Sequence, residues 1–187
     1  MIFIDMDGVL ASYTGSFTQT EFEEGFFYNK KPILINIKAI FELFTGYPLA
    51  ILSASPHEMG IKEKNGWLDI YCPIEERHFV KYPGECKAEF LIKYAEKQSL
   101  KREDILLIDD DLSILKKVQG AGFNVWHPST ILVAYEKQFP DITLSEKEYE
   151  ELARDEDRYI QLLKRRLERP KQNRKIISSN FDKYTAD

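Results

Sequence analysis

Two apolar runs that break off in aspartates constrain this chain more than any other feature. Ile2-Phe3-Ile4 stops at Asp5-Met6-Asp7-Gly8, and Ile105-Leu106-Leu107-Ile108 stops at Asp109-Asp110-Asp111. A short continuous apolar run is the pattern of a strand buried on both faces, as in a parallel sheet. Residues 49–52 read as another such strand, closing in Ser53-Ala54-Ser55-Pro56. Residues 69–72 and Phe79-Val80 read as short strands, and 124–127 as the last one. Helical spacing covers 32–44 (Ile33, Ile37, Ile40, Phe41, Phe44), 87–97 (Phe90, Leu91, Tyr94, Ala95) and 112–119, with a short helix ending near Asn65-Gly66. Strands alternating with helices predict βα units, and hence an α/β fold: a Rossmann-like parallel sheet with helices on both faces. Ligands bind such sheets outside the carboxyl ends of the strands. The aspartates and the serines therefore converge on one edge.

The 187 residues divide by composition into a core over 1–140 and a charged helical extension over 141–187. Within the core, 11–32 is an irregular, aromatic-rich insert carrying Tyr13, Phe17, Phe22, Phe26, Phe27 and Tyr28. A hydrophobic content of 43% is ample for one packed core, and 13% aromatics argue against global disorder. The formal charge of −5 excludes a uniformly basic nucleic-acid coat. Cys72 and Cys86 can build neither a disulfide framework nor a zinc site, so they read as ordinary thiols of a reducing compartment. The opening residues form no signal peptide, and no run nears the roughly 18 apolar residues of a membrane helix. The expectation is a soluble cytoplasmic protein without a membrane partner.

Asp5 and Asp7, two residues apart past a strand end, repel unless something compensates. A divalent cation is the usual answer, and Mg²⁺ prefers hard oxygen ligands. Asp109 and Asp110 supply a second acidic cluster. Each cluster has a bland reading, Asp-Gly as a turn and 109–111 as a helix cap. Their joint position at strand ends favours a metal–phosphate site. Ser53, with neighbouring backbone N–H groups, can hold phosphoryl oxygens, and a phosphoryl transition state also needs a cationic side chain. Lys87, opening a helix ahead of Asp109, and Lys81, beside a possible strand end, are candidates for it, whereas Lys62 and Lys64 read as solvated. His57, His78 and His127 complete no recognisable set, and Trp67 and Trp126 read as core.

Asp5-Met6-Asp7-Gly8-Val9-Leu10 resembles the first motif of the haloacid dehalogenase superfamily of phosphatases. Leu52-Ser53 resembles its second motif, and Leu107-Ile108-Asp109-Asp110 its fourth. The resemblance spans about residues 1–130. It implies that Asp5 is the nucleophile that becomes an aspartyl phosphate, and that Asp7 is the general acid and then the base. Superfamily ATPases and dehalogenases generally lack an aspartate at the second position, which favours phosphomonoester hydrolysis. The resemblance further implies Mg²⁺ held by the Asp5 side chain, the Asp7 backbone carbonyl and Asp109, with Asp110 in support. Ser53 would bind the phosphoryl group, as would Lys87, with Gly8 and Ala54 lining that site. General-acid work asks for an Asp7 pKa raised by its surroundings.

Within the superfamily the motifs are most similar to the 5′(3′)-deoxyribonucleotidase group, which implies a nucleoside monophosphate as substrate. The short interval between Asp7 and Ser53 leaves room only for a minimal cap. Its aromatics either pack on the core, the favoured reading, or stack on a base. The open site keeps alternatives in play: a phosphatase of nucleic-acid ends or of a phosphoprotein, or a non-catalytic binding protein of the same fold. The basic stretch 164–175 is read as a solvated helix end in preference to a nucleic-acid contact. An apolar stripe over 149–167 docks that helix on the core or on a second subunit, which would make a homodimer.

Overall fold

The computed structural model describes residues 1–12, 25–81 and 84–138. Five strands form one parallel sheet: β1 (Ile2–Ile4), β2 (Leu49–Ser55), β3 (Glu76–Lys81), β4 (Leu106–Ile108) and β5 (Asn124–Trp126). Their order is β3-β2-β1-β4-β5. The connecting helices are α1 (Leu34–Leu43), α2 (Glu58–Tyr71), α3 (Lys87–Gln98) and α4 (Leu112–Gly120), and α5 (Pro128–Gln138) follows β5. The expected α/β class with a parallel sheet is what the chain forms.

Strand alternation explains the two cores. Ile2, Ile4, Ile51, Leu106 and Ile108 face one side, where Ile37 and Ile40 of α1, Trp67 and Leu68 of α2, and Ile131 of α5 cover them. Phe3, Ala50, Leu52 and Leu107 face the other side, under Leu91 of α3 and Leu115 and Val118 of α4. Both faces of the sheet are therefore apolar, which accounts for strands without polar alternation. Trp67 and Trp126 are core residues, as expected.

The 69–72 strand does not form. Those residues complete α2 and leave it at Cys72. Leu68 and Cys72 are buried while the adjacent Asp69 and Ile70 both face outward, a helical period that a two-residue alternation cannot give. Gly66 does not stop this helix either; Tyr28 rests over it, 3.4 Å from where a Cβ would sit. The third strand is β3, around Phe79-Val80. Helix α5 carries no strong apolar period and escaped the sequence pattern. Pro128 suits its first turn, and Tyr135 donates a 2.6 Å hydrogen bond to Glu42 of α1.

Residues 25–31 of the insert lie along α2. Glu63 accepts hydrogen bonds from the backbone N–H of Gly25 (2.6 Å) and of Phe27 (3.0 Å). The Trp67 indole donates to the Lys30 carbonyl at 2.7 Å. Phe27 is buried against Gly60, in line with the core-packing reading of that ring. Tyr13, Phe17 and Phe22, and with them the full extent of the cap, lie outside the described residues. So do the extension over 141–187, its basic stretch and its docking stripe. Among the described residues no helix is long and apolar enough to cross a membrane.

A methyl group at Gly60 would lie 2.7 Å from Ser55 Oγ and 2.9 Å from the Phe27 ring. Gly60→Ala should therefore destabilise the protein by about 1–3 kcal/mol through overpacking, although alanine is the better helix former. Urea unfolding measures it; a gain in stability would show that the segment is not seated on α2.

Candidate functional site

Strands β1 and β4 pair in register, Ile4 opposite Ile108. The ladder continues one step, with the Asp5 N–H donating to the Ile108 carbonyl at 2.9 Å and the Asp109 N–H to the Trp126 carbonyl at 3.1 Å. Asp5 and Asp109 thus leave adjacent strands side by side. Connections run to opposite flanks of the sheet from these two strands, so a crevice opens between them.

Lys87, at the start of α3, reaches in between. Its Nζ lies 2.7 Å from Asp109 Oδ2 and 3.0 Å from Asp5 Oδ1. All three side chains are buried. The approach to Asp5 is an ion pair without hydrogen-bonding geometry, and Asp5 Oδ1 is left buried without a hydrogen bond among the described residues. Asp110 follows on the loop. One oxygen from each of Asp5, Asp109 and Asp110 lies within 4.8 Å of the others, a set able to hold a metal ion. Gly8 makes this possible twice over. It adopts φ 71°, where a side chain is strained, and a Cβ there would overlap the Asp110 carboxylate. The bland readings hold in part: Asp7-Gly8 lies in a turn closed by the Leu10 N–H on the Met6 carbonyl at 2.9 Å, Asp109 Oδ1 accepts from the Asp111 N–H at 2.9 Å, and the helix cap itself is Asp111. It caps α4, accepting from Ser113 N–H at 2.7 Å and from Ile114 N–H at 3.3 Å.

Asp7 stands apart from that trio, gripped by two lysines. Lys30 Nζ is 2.6 Å from Oδ1 and Lys64 Nζ is 2.5 Å from Oδ2. Lys64 also donates to Ser53 Oγ (3.0 Å) and to the Ala54 carbonyl (2.5 Å). Ser53 and Lys64 are fully buried. The rings of Phe26 and Phe27 flank Lys30 Nζ with centroids at 4.9 and 5.2 Å, and Phe27 lies 4.5 Å from Lys64 Nζ.

Electrostatics divide the carboxylates. Burial, reinforced by the charge of Asp5, pushes Asp109 up to about 7 against the pull of Lys87. Burial and Asp5 also raise Asp110. Burial disfavours the Lys87 ammonium, but Asp5 and Asp109 outweigh it and hold Lys87 above its ordinary value. At Asp7, burial would raise the pKa, yet the charges and hydrogen bonds of Lys64 and Lys30 prevail and lower it. The raised value expected for Asp7 is not found, because two buried cations touch it.

The sequence-derived residues Asp5, Asp7, Gly8, Ser53, Ala54, Lys87, Asp109 and Asp110 are thus brought to one edge. Lys81 ends β3 at that edge too, opposite Ser55, but it is exposed and, among the described residues, makes no ion pair with the aspartates. The expectation of a solvated Lys64 is overturned. Lys64 shares one α2 face with Gly60, Trp67 and Leu68, and that helical spacing was the missed signal. Nothing in the sequence marks Lys30, whose arrival depends on the packing of the insert. His57 serves as the N-cap of α2, accepting from Gly60 N–H at 2.8 Å.

No family model matches the chain, and no curated protein matches it. Among solved structures, it is similar to an uncharacterized protein from Corynebacterium glutamicum, with 18% identity and a TM-score of 0.45 over 74% of this chain and 93% of the other.

Asp109 should leave a pH signature. Its carboxyl loses its proton near 3.8 when unfolded but only near 7 when folded. Between those values the folded state holds the extra proton, so its contribution to stability falls as pH rises, and the penalty is complete above about 7. Thermal melts in EDTA across that range should show a smaller decline for Asp109→Asn than for the wild type. Parallel declines would place the raised pKa elsewhere.

Proposed function

We propose that the chain is a Mg²⁺-dependent phosphomonoester hydrolase of the haloacid dehalogenase kind, working through an aspartyl phosphate on Asp5. The observation that carries this reading is the buried Asp5 carboxylate, ion-paired to Lys87 and flanked by Asp109 and Asp110. The donor set is all oxygen and rich in charge, which suits Mg²⁺, and Asp5 Oδ1, buried and paired among the described residues with Lys87 alone, keeps lone pairs that a cation could use. Asp5, Asp109 and Asp110 would hold the ion; the resemblance adds the Asp7 carbonyl. When bound, the ion supplies positive charge that lets two anions approach.

The other roles fall to the protein. An Asp5 oxygen attacks phosphorus while the bond from phosphorus to the leaving oxygen breaks. Lys87 fixes the nucleophile and balances its charge. Ser53 and Lys64 face the transferred group, and Lys64 lies within 3.0 Å of both Ser53 and Asp7, so a phosphoryl dianion at Ser53 competes with Asp7 for this cation. That competition draws Lys64 away from Asp7, which takes up a proton from solvent while Lys30 keeps its carboxyl group in place. Asp7 delivers that proton to the leaving oxygen and, in the second half, takes one from the water that attacks the aspartyl phosphate. The products are an alcohol and inorganic phosphate. A nucleoside monophosphate is the proposed substrate, on the likeness of the motifs to 5′(3′)-deoxyribonucleotidases.

Phosphate release should be measured on ribo- and deoxyribonucleoside monophosphates, sugar phosphates and end-phosphorylated oligonucleotides. We expect turnover with Mg²⁺, none in EDTA, and a loss of about a thousandfold or more in Asp5→Asn. Turnover indifferent to both changes would refute the mechanism; preference for the oligonucleotides would redirect the substrate. Lys64→Met should raise KM by about tenfold or more through loss of a charged hydrogen bond in a buried site.

A further inference from the structure

Among the described residues, the insert brings the Lys30 ammonium into the site, where it meets the Asp7 carboxylate. Lys30 is 6% exposed and its ammonium sits 2.6 Å from Asp7 Oδ1. The opposite oxygen belongs to Lys64, whose other donors go to Ser53 and to the Ala54 carbonyl. Lys64 is therefore fixed by the β2 end. Lys30 is fixed by the 25–31 segment, through the Trp67 bond to its carbonyl, the Glu63 clamp on Gly25 and Phe27, and Phe27 against Gly60. Burying a lysine costs side-chain entropy and desolvation, and a buried ion pair is weak evidence for stability by itself. What the pair does secure is geometry. One lysine leaves a carboxylate free to turn about its Cβ–Cγ bond, whereas opposed lysines on the two oxygens fix its plane.

We propose that Lys30 is a positioning residue that sets the orientation of Asp7 toward the leaving oxygen, so that the insert governs how readily the leaving group departs. This rests on the phosphohydrolase reading above. A misplacement of about 1 Å at a reacting group can cost about a hundredfold. The cost falls only on leaving groups that need a proton. Alkoxide leaving groups, as in a nucleoside monophosphate, need one; p-nitrophenolate does not.

The test compares kcat/KM, which reports transfer to Asp5, for a nucleoside monophosphate and for p-nitrophenyl phosphate, both with Mg²⁺. Lys30→Met is expected to lower the first by about 10- to 100-fold and the second by less than about threefold. Lys31→Met, on the exposed neighbour, should change neither. Equal losses on the two substrates, or no loss, would overturn the proposal while leaving the phosphohydrolase reading intact. A wild-type protein that hydrolyses neither substrate would overturn that reading and this proposal with it. Should Lys30→Met fail to fold, Glu63→Ala, which releases the segment without touching Asp7, is read by the same ratio of losses.

Discussion

The in-register pairing of β1 with β4 is the constraint on which the site depends. It sets Asp5 and Asp109 side by side at the end of two strands that are buried on both faces. Two carboxylates placed there without a counter-charge would cost several kcal/mol each in desolvation and would repel one another. The Lys87 ammonium offsets part of this cost, and the pKa of Asp109, held near 7, records the part left over. The edge is therefore charged beyond what folding alone requires, a pattern common at functional sites.

The site is assembled from both layers of the fold. Lys87 arrives from α3, over the face that carries Phe3 and Leu107. Lys64 arrives from α2, over the opposite face that carries Ile4 and Ile108, and Lys30 comes with the segment laid on that helix. Each layer serves different carboxylates. The first places the Lys87 ammonium between Asp5 and Asp109, and the second grips Asp7 with Lys64 and Lys30. Because these cations come from different elements, the two groups of carboxylates can be perturbed separately.

Small residues make the close approaches possible. At Gly8 the chain takes a left-handed turn that a side chain would strain, and the vacated volume is filled by the Asp110 carboxylate. Gly60 leaves room on α2 for Ser55 and for the Phe27 ring, which in turn lies over Lys64. Helix α2 is thus shaped by its contacts more than by local propensity. This explains how a helix containing two glycines runs its full length to Tyr71.

The sequence by itself determined most of the alternation of strands and helices and the placing of Asp5, Asp7 and the 109–110 pair past strand ends, whereas β2 continues beyond the expected stop at Ser53 to Ser55. Local apolar runs and abrupt polar stops encode those features directly. Lys87 is preferred over Lys81 only through the resemblance of the motifs, and its burial between Asp5 and Asp109 is a property of the packed sheet. Tertiary structure alone decided the rest. Residues 69–72 continue α2 because Leu68 and Cys72 have a core to enter, which a short ambiguous apolar run cannot reveal. Lys64 turned inward because three acceptors waited on β2 and on the loop after β1. Lys30 found Asp7 across 23 residues of chain. A lysine in a sequence carries no mark of whether water or a buried carboxylate will receive it, since the burial that decides the matter is a property of the packed molecule.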